Sequence, residues 1–336
     1  MLYVMDITAG LSSFSFEAGL TDGEKNFEYL RERSAELMFC GCIQATFVCE
    51  LFRSLRCAVN GSTAGSSVSS KDLCVGILGF GRLGKQLLHS ILENTSIKTS
   101  CIKISTRRPE SAEECSRTGV DCFFDNRRLA AWADILFLCC LPSHFAKVCP
   151  DLRFHLSKCC LVYSFPSAVP VTKLAKLLEH DFILKPQYEF ATWDAADVRL
   201  PSFNLTTVLT EELLTEASKP RSIKGTITLD LNWVCAVLYS LLNICTSANL
   251  GSAQTLSLIQ TLVIEKWTDE MEFNAHNFIS SSYASTISAT DPFPWISLID
   301  TQTKETPLLD FLANKNLLQQ CITATFRSQL RQKSKK

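Results

Sequence analysis

The chain has 336 residues, of which 46% are hydrophobic and 20% are charged, and its formal net charge is -1. This composition is typical of a folded globular protein, and the length is sufficient for two domains of roughly 100–200 residues each. The balanced charge argues against a nucleic-acid-binding protein, because such proteins usually carry a basic surplus. The apolar run at residues 233–245 is interrupted by Ser240 and Asn243, so we expect no segment to reach the roughly 18 apolar residues that span a bilayer. The N-terminus has no basic segment before an apolar core, so we also expect no secretory signal.

The N-terminal part of the chain is predicted to be a helical extension, residues 1–59. Apolar residues recur at helical spacings from about residue 22 to residue 56. Residues 60–70 are nearly all small and polar, which is typical of a flexible linker.

Residues 71–190 alternate short apolar runs with helical patterns. Because apolar strands that alternate with helices form a parallel sheet covered on both faces, the pattern predicts an α/β fold with a Rossmann-type doubly wound sheet. The predicted strands are 73–78, 101–105, 122–124, 135–141, 160–165 and 182–184, and the predicted helices are 83–92, 109–117, 127–132, 143–156 and 171–180.

Beyond residue 190 the strand pattern stops, so residues 191–336 are predicted to form an all-helical C-terminal domain. A segment rich in serine and threonine, residues 279–294, contains two prolines and is predicted to be a loop. The predicted helices are 211–218, 229–250, 253–272 and 308–332.

The sixteen cysteines are expected to be buried thiols. Cys139-Cys140 and Cys159-Cys160 fall in predicted strands, where neighbouring side chains point to opposite faces and cannot easily form a disulfide. Cys40 and Cys42 are too isolated for a zinc site, and no metal site is predicted. Free buried cysteines are typical of a reducing compartment, so we expect a cytoplasmic protein.

A glycine-rich loop follows the first predicted strand and opens the first predicted helix of the sheet domain. It has the GxGxxG pattern of a dinucleotide site, Gly79-Phe80-Gly81-Arg82-Leu83-Gly84. In such a loop Gly79 allows a tight turn, Gly81 lets the backbone approach a pyrophosphate, and Gly84 allows helix and strand to pack closely. The phosphates are then expected at the N-terminus of the helix. A glycine-rich turn without a ligand is the alternative interpretation.

The end of the second strand indicates which nucleotide is bound. An NAD site usually has Asp or Glu about 20 residues after the glycine loop, where it binds the ribose hydroxyls. This chain has Ser105-Thr106-Arg107-Arg108 there. Guanidinium groups next to small hydroxyls suit a 2′-phosphate, so NADP is the predicted cofactor. The alternative is that both arginines are solvated surface residues.

Two stretches, 75–84 and 133–142, resemble the pyrroline-5-carboxylate reductases, and the resemblance extends over about residues 71–185. It implies a cofactor domain followed by an all-helical dimerisation domain, with the substrate held between them. It also implies the reduction of a cyclic imine by NAD(P)H and a homodimer. The serine- and glycine-rich loop that holds the substrate carboxylate in these reductases is not found after residue 190.

The resemblance also assigns individual residues. Thr106, Arg107 and Asn126 match positions that bind the adenosine ribose or its phosphate. The turn Cys140-Leu141-Pro142 matches a Val-Lys-Pro turn beside the nicotinamide ribose, with leucine in place of lysine, and Ser164 matches a serine that ends the next strand.

Imine or carbonyl reduction also needs a proton source, for which the candidates are Ser143, His144 and Lys185. The alternatives are that Ser143 and His144 lie at an exposed helix start and that Lys185 lies in a solvated loop. The sequence therefore predicts an NADP(H)-dependent oxidoreductase that acts on a small imine or carbonyl substrate, without nucleic-acid or membrane partners. The alternative is a non-catalytic NADP-binding sensor or scaffold.

Overall fold

A six-stranded parallel β-sheet forms the centre of the computed structural model, which describes residues 22–62, 72–166, 168–186, 188–190, 227–229, 231–263 and 273–313. The strand order is β3-β2-β1-β4-β5-β6. The strands β2 and β3 are added on one side of β1 and the strands β4 to β6 on the other, so the strand order reverses between β1 and β4. This order is that of a doubly wound Rossmann-type sheet, which confirms the predicted fold class. The strands are β1 (Val75–Leu78), β2 (Ile102–Ser105), β3 (Asp121–Phe123), β4 (Ile135–Leu138), β5 (Leu161–Ser164) and β6 (Ile183–Leu184).

Helices connect the strands and cover the sheet, because the strands are apolar on both faces. All residues of β1, β4 and β5 are buried. The predicted helix 109–117 is split into a 3₁₀ turn, Pro109–Ser111, and a short α-helix. The connecting helices are α2 (Arg82–Asn94), α3 (Glu113–Thr118), α4 (Asn126–Trp132), α5 (Phe145–Leu152) and α6 (Val171–Leu178).

The N-terminal extension contains a long helix, α1 (Asp22–Ser62), that is built into the core. Residues 40–52 are all buried, and they share one hydrophobic cluster with Ile77 and Phe137 of the sheet and Leu87 of α2. Residues 60–62 of the predicted linker continue the helix, and residues 63–71 lie outside the described ranges.

One stretch of α1, Met38–Gly61, is long and apolar enough to cross a membrane by length and composition. The expectation that no such segment exists was wrong, because Glu50 and Arg53 are isolated charged residues in a stretch that is otherwise mostly apolar. However, 78% of its most apolar 18-residue window is buried inside the protein, as in a core helix. The helix therefore packs its apolar surface against the sheet and neighbouring helices.

The C-terminal part is mainly helical, but it begins with an antiparallel strand pair, β7 (Tyr188–Phe190) with β8 (Ile227–Leu229). The expectation of no strand beyond residue 190 was therefore wrong. The predicted helix 211–218 and the later parts of 253–272 and 308–332 lie outside the described residues. The helices are α7 (Leu231–Ser247), α8 (Ser252–Val263), α9 (Ser281–Ala284), α10 (Leu298–Thr303) and α11 (Pro307–Ala313).

Helix α10 was not predicted from the sequence, and it completes the edge of the sheet. The Gln302 side chain accepts a hydrogen bond from the Lys185 backbone N–H at 2.9 Å and donates to the Ile183 carbonyl at 2.7 Å. Its amide thus occupies the place of a neighbouring strand at β6, and the C-terminal part is fixed to the sheet through this contact.

The paired cysteines lie beside the strands rather than within them, which corrects the prediction. Cys139 and Cys140 follow β4, and Cys159 and Cys160 precede β5, with Cys159 exposed. None of the fifteen cysteines in the described part of the chain forms a disulfide. Burial raises the pKa of the Cys140 thiol to about 11.

Candidate functional site

A groove of about 870 Å³ opens at the carboxyl ends of β1, β2 and β4. The strand order reverses between β1 and β4, and ligands of doubly wound sheets bind in the crevice at this switch point. Of the residues predicted from the sequence, the groove is lined by Gly79, Phe80, Gly81, Thr106, Arg107, Arg108, Asn126, Cys140, Leu141 and His144.

The glycine loop has a separate structural reason for each of its glycines. Gly79 has a φ of 96°, in the left-handed region that favours glycine, and its N–H donates to the Ser105 carbonyl at 2.9 Å. A Cβ on Gly84 would collide with the Gly79 carbonyl oxygen. A Cβ on Gly81 would meet no atom within 4 Å, so Gly81 leaves space open beside the groove.

The N-terminus of α2 has the properties of an anion site. Gly81 is the N-cap residue, no side chain caps the helix, and its first turn has no acidic residue. Because the first N–H groups of a helix lack intrahelical acceptors and carry the positive end of the helix dipole, they favour an anionic ligand. Lys85 lies one turn later and also lines the groove.

The loop after β2 supplies further positive charge. Ser105 is buried, Thr106 is half-buried, and Arg107 and Arg108 are exposed. Among the described residues, none forms an ion pair with Arg107. Asp151 is the sole acidic side chain among the described residues that line the groove, so the groove favours an anionic ligand.

A hydrogen-bond network connects the ends of β2 and β3 to α5. The Ser105 hydroxyl contacts Asn126 Oδ1 at 2.8 Å, and Asn126 Nδ2 contacts Asp151 Oδ2 at 3.1 Å. Arg127 Nε lies 3.5 Å from the other carboxylate oxygen of Asp151. Sequence reasoning found Asn126 but missed Asp151, because the fold alone brings α5 next to the start of α4.

Several other residues of the groove also carry no motif signal. Phe124 is 61% exposed at the end of β3, and Lys85, Lys147 and Val148 line the same groove. An exposed aromatic ring in a groove that also contains lysines is a suitable surface for a flat ring system with anionic groups.

Other predicted site residues lie near the groove without lining it. Arg82 is exposed and Leu83 packs against the core in the first turn of α2, where Gly84 is buried. Pro142 and Ser143 are exposed in a 3₁₀ turn that ends at His144.

Ser164 and Lys185 lie at the carboxyl ends of β5 and β6 and are buried. The Ser164 hydroxyl makes no hydrogen bond within the described residues. The alternative for Lys185 was a solvated loop, but burial lowers the pKa of its amine and its backbone N–H is bound by Gln302. No group of three or more His, Cys, Asp or Glu in the described ranges is placed to hold a metal ion.

Two comparisons with known proteins both identify similarity to NADP-dependent oxidoreductase domains. The family described as "NADP oxidoreductase coenzyme F420-dependent" matches residues 74–163. The mouse protein "NADP-dependent oxidoreductase domain-containing protein 1" is 34% identical over 340 residues, which cover 96% of this chain and 93% of the mouse protein.

The similarity to pyrroline-5-carboxylate reductases is more local in sequence. The enzyme of Escherichia coli (strain K12) is 27% identical over 108 residues, which cover 32% of this chain and 40% of that enzyme. A solved pyrroline-5-carboxylate reductase from Coxiella burnetii is 15% identical, covers 76% of this chain and 97% of its own, and has a TM-score of 0.33.

Proposed function

The chain belongs to the family of the NADP-dependent oxidoreductase domain-containing protein 1, and we propose that it is an NADP(H)-dependent oxidoreductase that reduces a small imine or carbonyl compound. The observation that carries this proposal is the uncapped N-terminus of α2, which faces a groove at the switch point of the sheet. An anionic dinucleotide fits both the charge and the place.

The residues present fit NADP better than NAD. The pyrophosphate would lie at the N–H groups of α2, where Gly81 leaves open space for it. The 2′-phosphate would be held at the end of β2 by Thr106, Arg107 and Arg108, which line the groove together with Lys85. A carboxylate that would repel this phosphate is missing from that loop. We therefore expect NADPH to bind more tightly than NADH.

The reaction would take place at the other half of the groove, near Cys140, Leu141 and His144. When bound there, a reduced nicotinamide supplies a hydride to the acceptor carbon. Leu141 is 64% exposed, and its apolar side chain would exclude water from this end. The proton for the acceptor nitrogen or oxygen would come from His144, Ser143 or Lys185. A lowered pKa makes the Lys185 ammonium a better proton donor near neutral pH than an ordinary lysine.

We also propose that the protein is a cytoplasmic homodimer whose partner molecules are small substrates rather than nucleic acids or membranes. The absence of disulfides among the described cysteines suits a reducing compartment. Burial of the apolar stretch of α1 within the core leaves little of it for contact with lipid.

A second candidate is a non-catalytic NADP-binding sensor or scaffold. It is favoured by Leu141, an exposed apolar residue of the groove at the position where the reductases that the chain resembles have a lysine. A charged group beside the nicotinamide ribose is therefore lost, and binding without turnover is the expected behaviour of this candidate.

The two candidates are separated by measuring NADPH oxidation with a panel of cyclic imines and small carbonyl compounds. An oxidoreductase consumes NADPH in a substrate-dependent way, and this activity disappears in Gly81→Asp. Tight NADPH binding without turnover on any compound of the panel would instead support the sensor or scaffold. A protein that binds neither NADPH nor NADH would contradict both.

A further inference from the structure

The hydrogen-bond network around Asn126 has a fixed direction. An ionised carboxylate only accepts hydrogen bonds, so the atom of Asn126 that faces Asp151 at 3.1 Å must be the amide nitrogen. The amide oxygen then faces Ser105, whose hydroxyl donates to it at 2.8 Å. The same hydroxyl oxygen accepts from the Asp125 N–H at 3.3 Å. Asp151 therefore sets the orientation of the Asn126 amide.

This orientation leaves one polar group of Asn126 for a ligand. One N–H of the amide is used by Asp151 and the oxygen is used by Ser105, and no other described residue accepts the second N–H. Asn126 lines the groove beside Thr106 and Arg107, because the end of β3 lies next to the end of β2 and Thr106 N–H donates to the Phe123 carbonyl at 2.9 Å. The second N–H of the Asn126 amide is thus a hydrogen-bond donor in the groove, which suits an anionic ligand.

We propose that Asp151 is a positioning residue for nucleotide specificity, which holds the Asn126 amide so that its free N–H donates to the 2′-phosphate of NADP(H). This inference rests on the proposed function, since it assumes that the groove binds the nucleotide. Without Asp151 the amide can rotate by half a turn, because the Ser105 hydroxyl accepts as readily as it donates. The amide oxygen would then face the phosphate and repel it.

If Asp151 positions Asn126, removing Asp151 should change the preference for NADPH in the opposite direction from that expected if Asp151 acts only as a negative charge. Asp151 is a negative group in the groove, so its removal by itself weakens the repulsion of NADPH more than that of NADH. A role as a charge alone therefore predicts a stronger preference for NADPH. A positioning role predicts a weaker preference, because the donor is lost.

The test measures the dissociation constants of NADPH and NADH for the wild type, Asp151→Ala and the control Asp121→Ala. Asp121 is an exposed carboxylate that pairs with Lys103 and Arg128 and does not line the groove. We expect the NADH-to-NADPH ratio of dissociation constants to fall about tenfold in Asp151→Ala, the effect of one hydrogen bond to a charged group. The control is expected to keep the wild-type ratio.

A double-mutant cycle with Asn126→Ala shows whether Asp151 acts through Asn126. In the Asn126→Ala background, Asp151→Ala is expected to cause no further fall in the ratio. If Asp151→Ala does not fold, Asp151→Leu replaces it, since leucine has a similar volume but neither the charge nor an oxygen that accepts a hydrogen bond. An unchanged or increased ratio in Asp151→Ala, or in Asp151→Leu where it replaces that variant, overturns the inference. If the wild type binds neither nucleotide, the proposed function fails and this inference fails with it.

Discussion

The guanidinium of Arg56 holds the carboxylate of Asp134 with two hydrogen bonds, of 2.5 and 2.9 Å. Arg56 lies in the last two turns of α1, and Asp134 precedes β4. The same carboxylate accepts a hydrogen bond from the Cys74 N–H at 2.8 Å, just before β1. The N-terminal helix is therefore fixed to the amino ends of the two central strands, β1 and β4, whereas the groove lies at their carboxyl ends.

We expect Arg56→Ala to lower the free energy of unfolding by about 1–3 kcal/mol, because the Asp134 carboxylate would lose its charged partner. The side chain of Asp134 is only 24% exposed, so water replaces the lost bonds incompletely. Chemical denaturation measures the change. Lys98→Ala is the matched control, since its ion pair with Asp72 is exposed on both sides and is screened by solvent, so we expect its loss to matter much less. Equal effects of the two substitutions would contradict this account of α1.

The Gln302 side chain is expected to be a stability determinant for the edge of the sheet. Gln302 is 5% exposed, and its amide group bonds the Lys185 N–H and the carbonyls of Ile183 and Leu298. Gln302→Glu preserves the shape but loses the donor, so we expect the free energy of unfolding to fall by about 1–3 kcal/mol. Thr303→Ala, at an exposed neighbouring position, is the control. An unchanged denaturation midpoint in Gln302→Glu would show that α10 does not complete the sheet edge.

His180 is expected to make stability depend on pH below neutrality. Burial lowers the pKa of its ring, whose Nε2 lies 2.8 Å from the Cys160 carbonyl. As pH falls below about 6.5, the usual pKa of histidine, the unfolded chain takes up this proton before the folded chain does. The free energy of unfolding therefore decreases until the pH reaches the lowered pKa of the folded state.

The difference between wild type and His180→Gln isolates this effect, because glutamine retains a donor but does not titrate. Denaturation curves between pH 7.5 and about 5 should show a steeper loss of stability in the wild type. Parallel curves for the two proteins would mean that His180 keeps its ordinary pKa in the folded state.

Gly81 and Gly84 are expected to respond in opposite ways to substitution. Gly81→Asp places a carboxylate in open space at the N-cap of α2, where aspartate is a favoured residue, so stability should be unchanged or slightly increased. The same carboxylate would occupy the anion site and abolish nucleotide binding. Gly84→Ala collides with the Gly79 carbonyl and should cost about 1–3 kcal/mol of stability. Thermal melts and nucleotide titrations on both variants separate the effects. A Gly81→Asp protein that still binds NADPH would exclude the α2 N-terminus as the phosphate site.

The order of the elements in the sheet domain was predictable because each strand is a short apolar run between helical patterns. The glycine loop was equally visible, since its residues are contiguous in sequence. The pair β7 and β8 was missed because each strand has only three residues and the pairing joins segments far apart in the chain. Helix α10 has six residues, too few for a clear periodic pattern.

The candidate site was predictable only where its residues belong to a motif. Phe124 reaches the groove because β3 pairs with β2, and Asp151 reaches it because α5 packs against α4, so no local spacing indicates them. The backbone N–H of Lys185 is bound by Gln302 of α10, which comes more than 100 residues later. Ser164 and Lys185 follow the ends of neighbouring strands, and neither the reductase match of Ser164 nor the sequence around Lys185 revealed that both are buried.

The most direct test of the proposed function is a fluorescence titration of the wild type and of Arg107→Ala with NADPH and with NADH. We predict that the wild type binds NADPH more tightly than NADH and that Arg107→Ala loses about tenfold or more of this preference, because a charge-assisted hydrogen bond to the 2′-phosphate is removed. A wild-type protein that binds neither nucleotide, or that prefers NADH, would contradict the assignment of the groove.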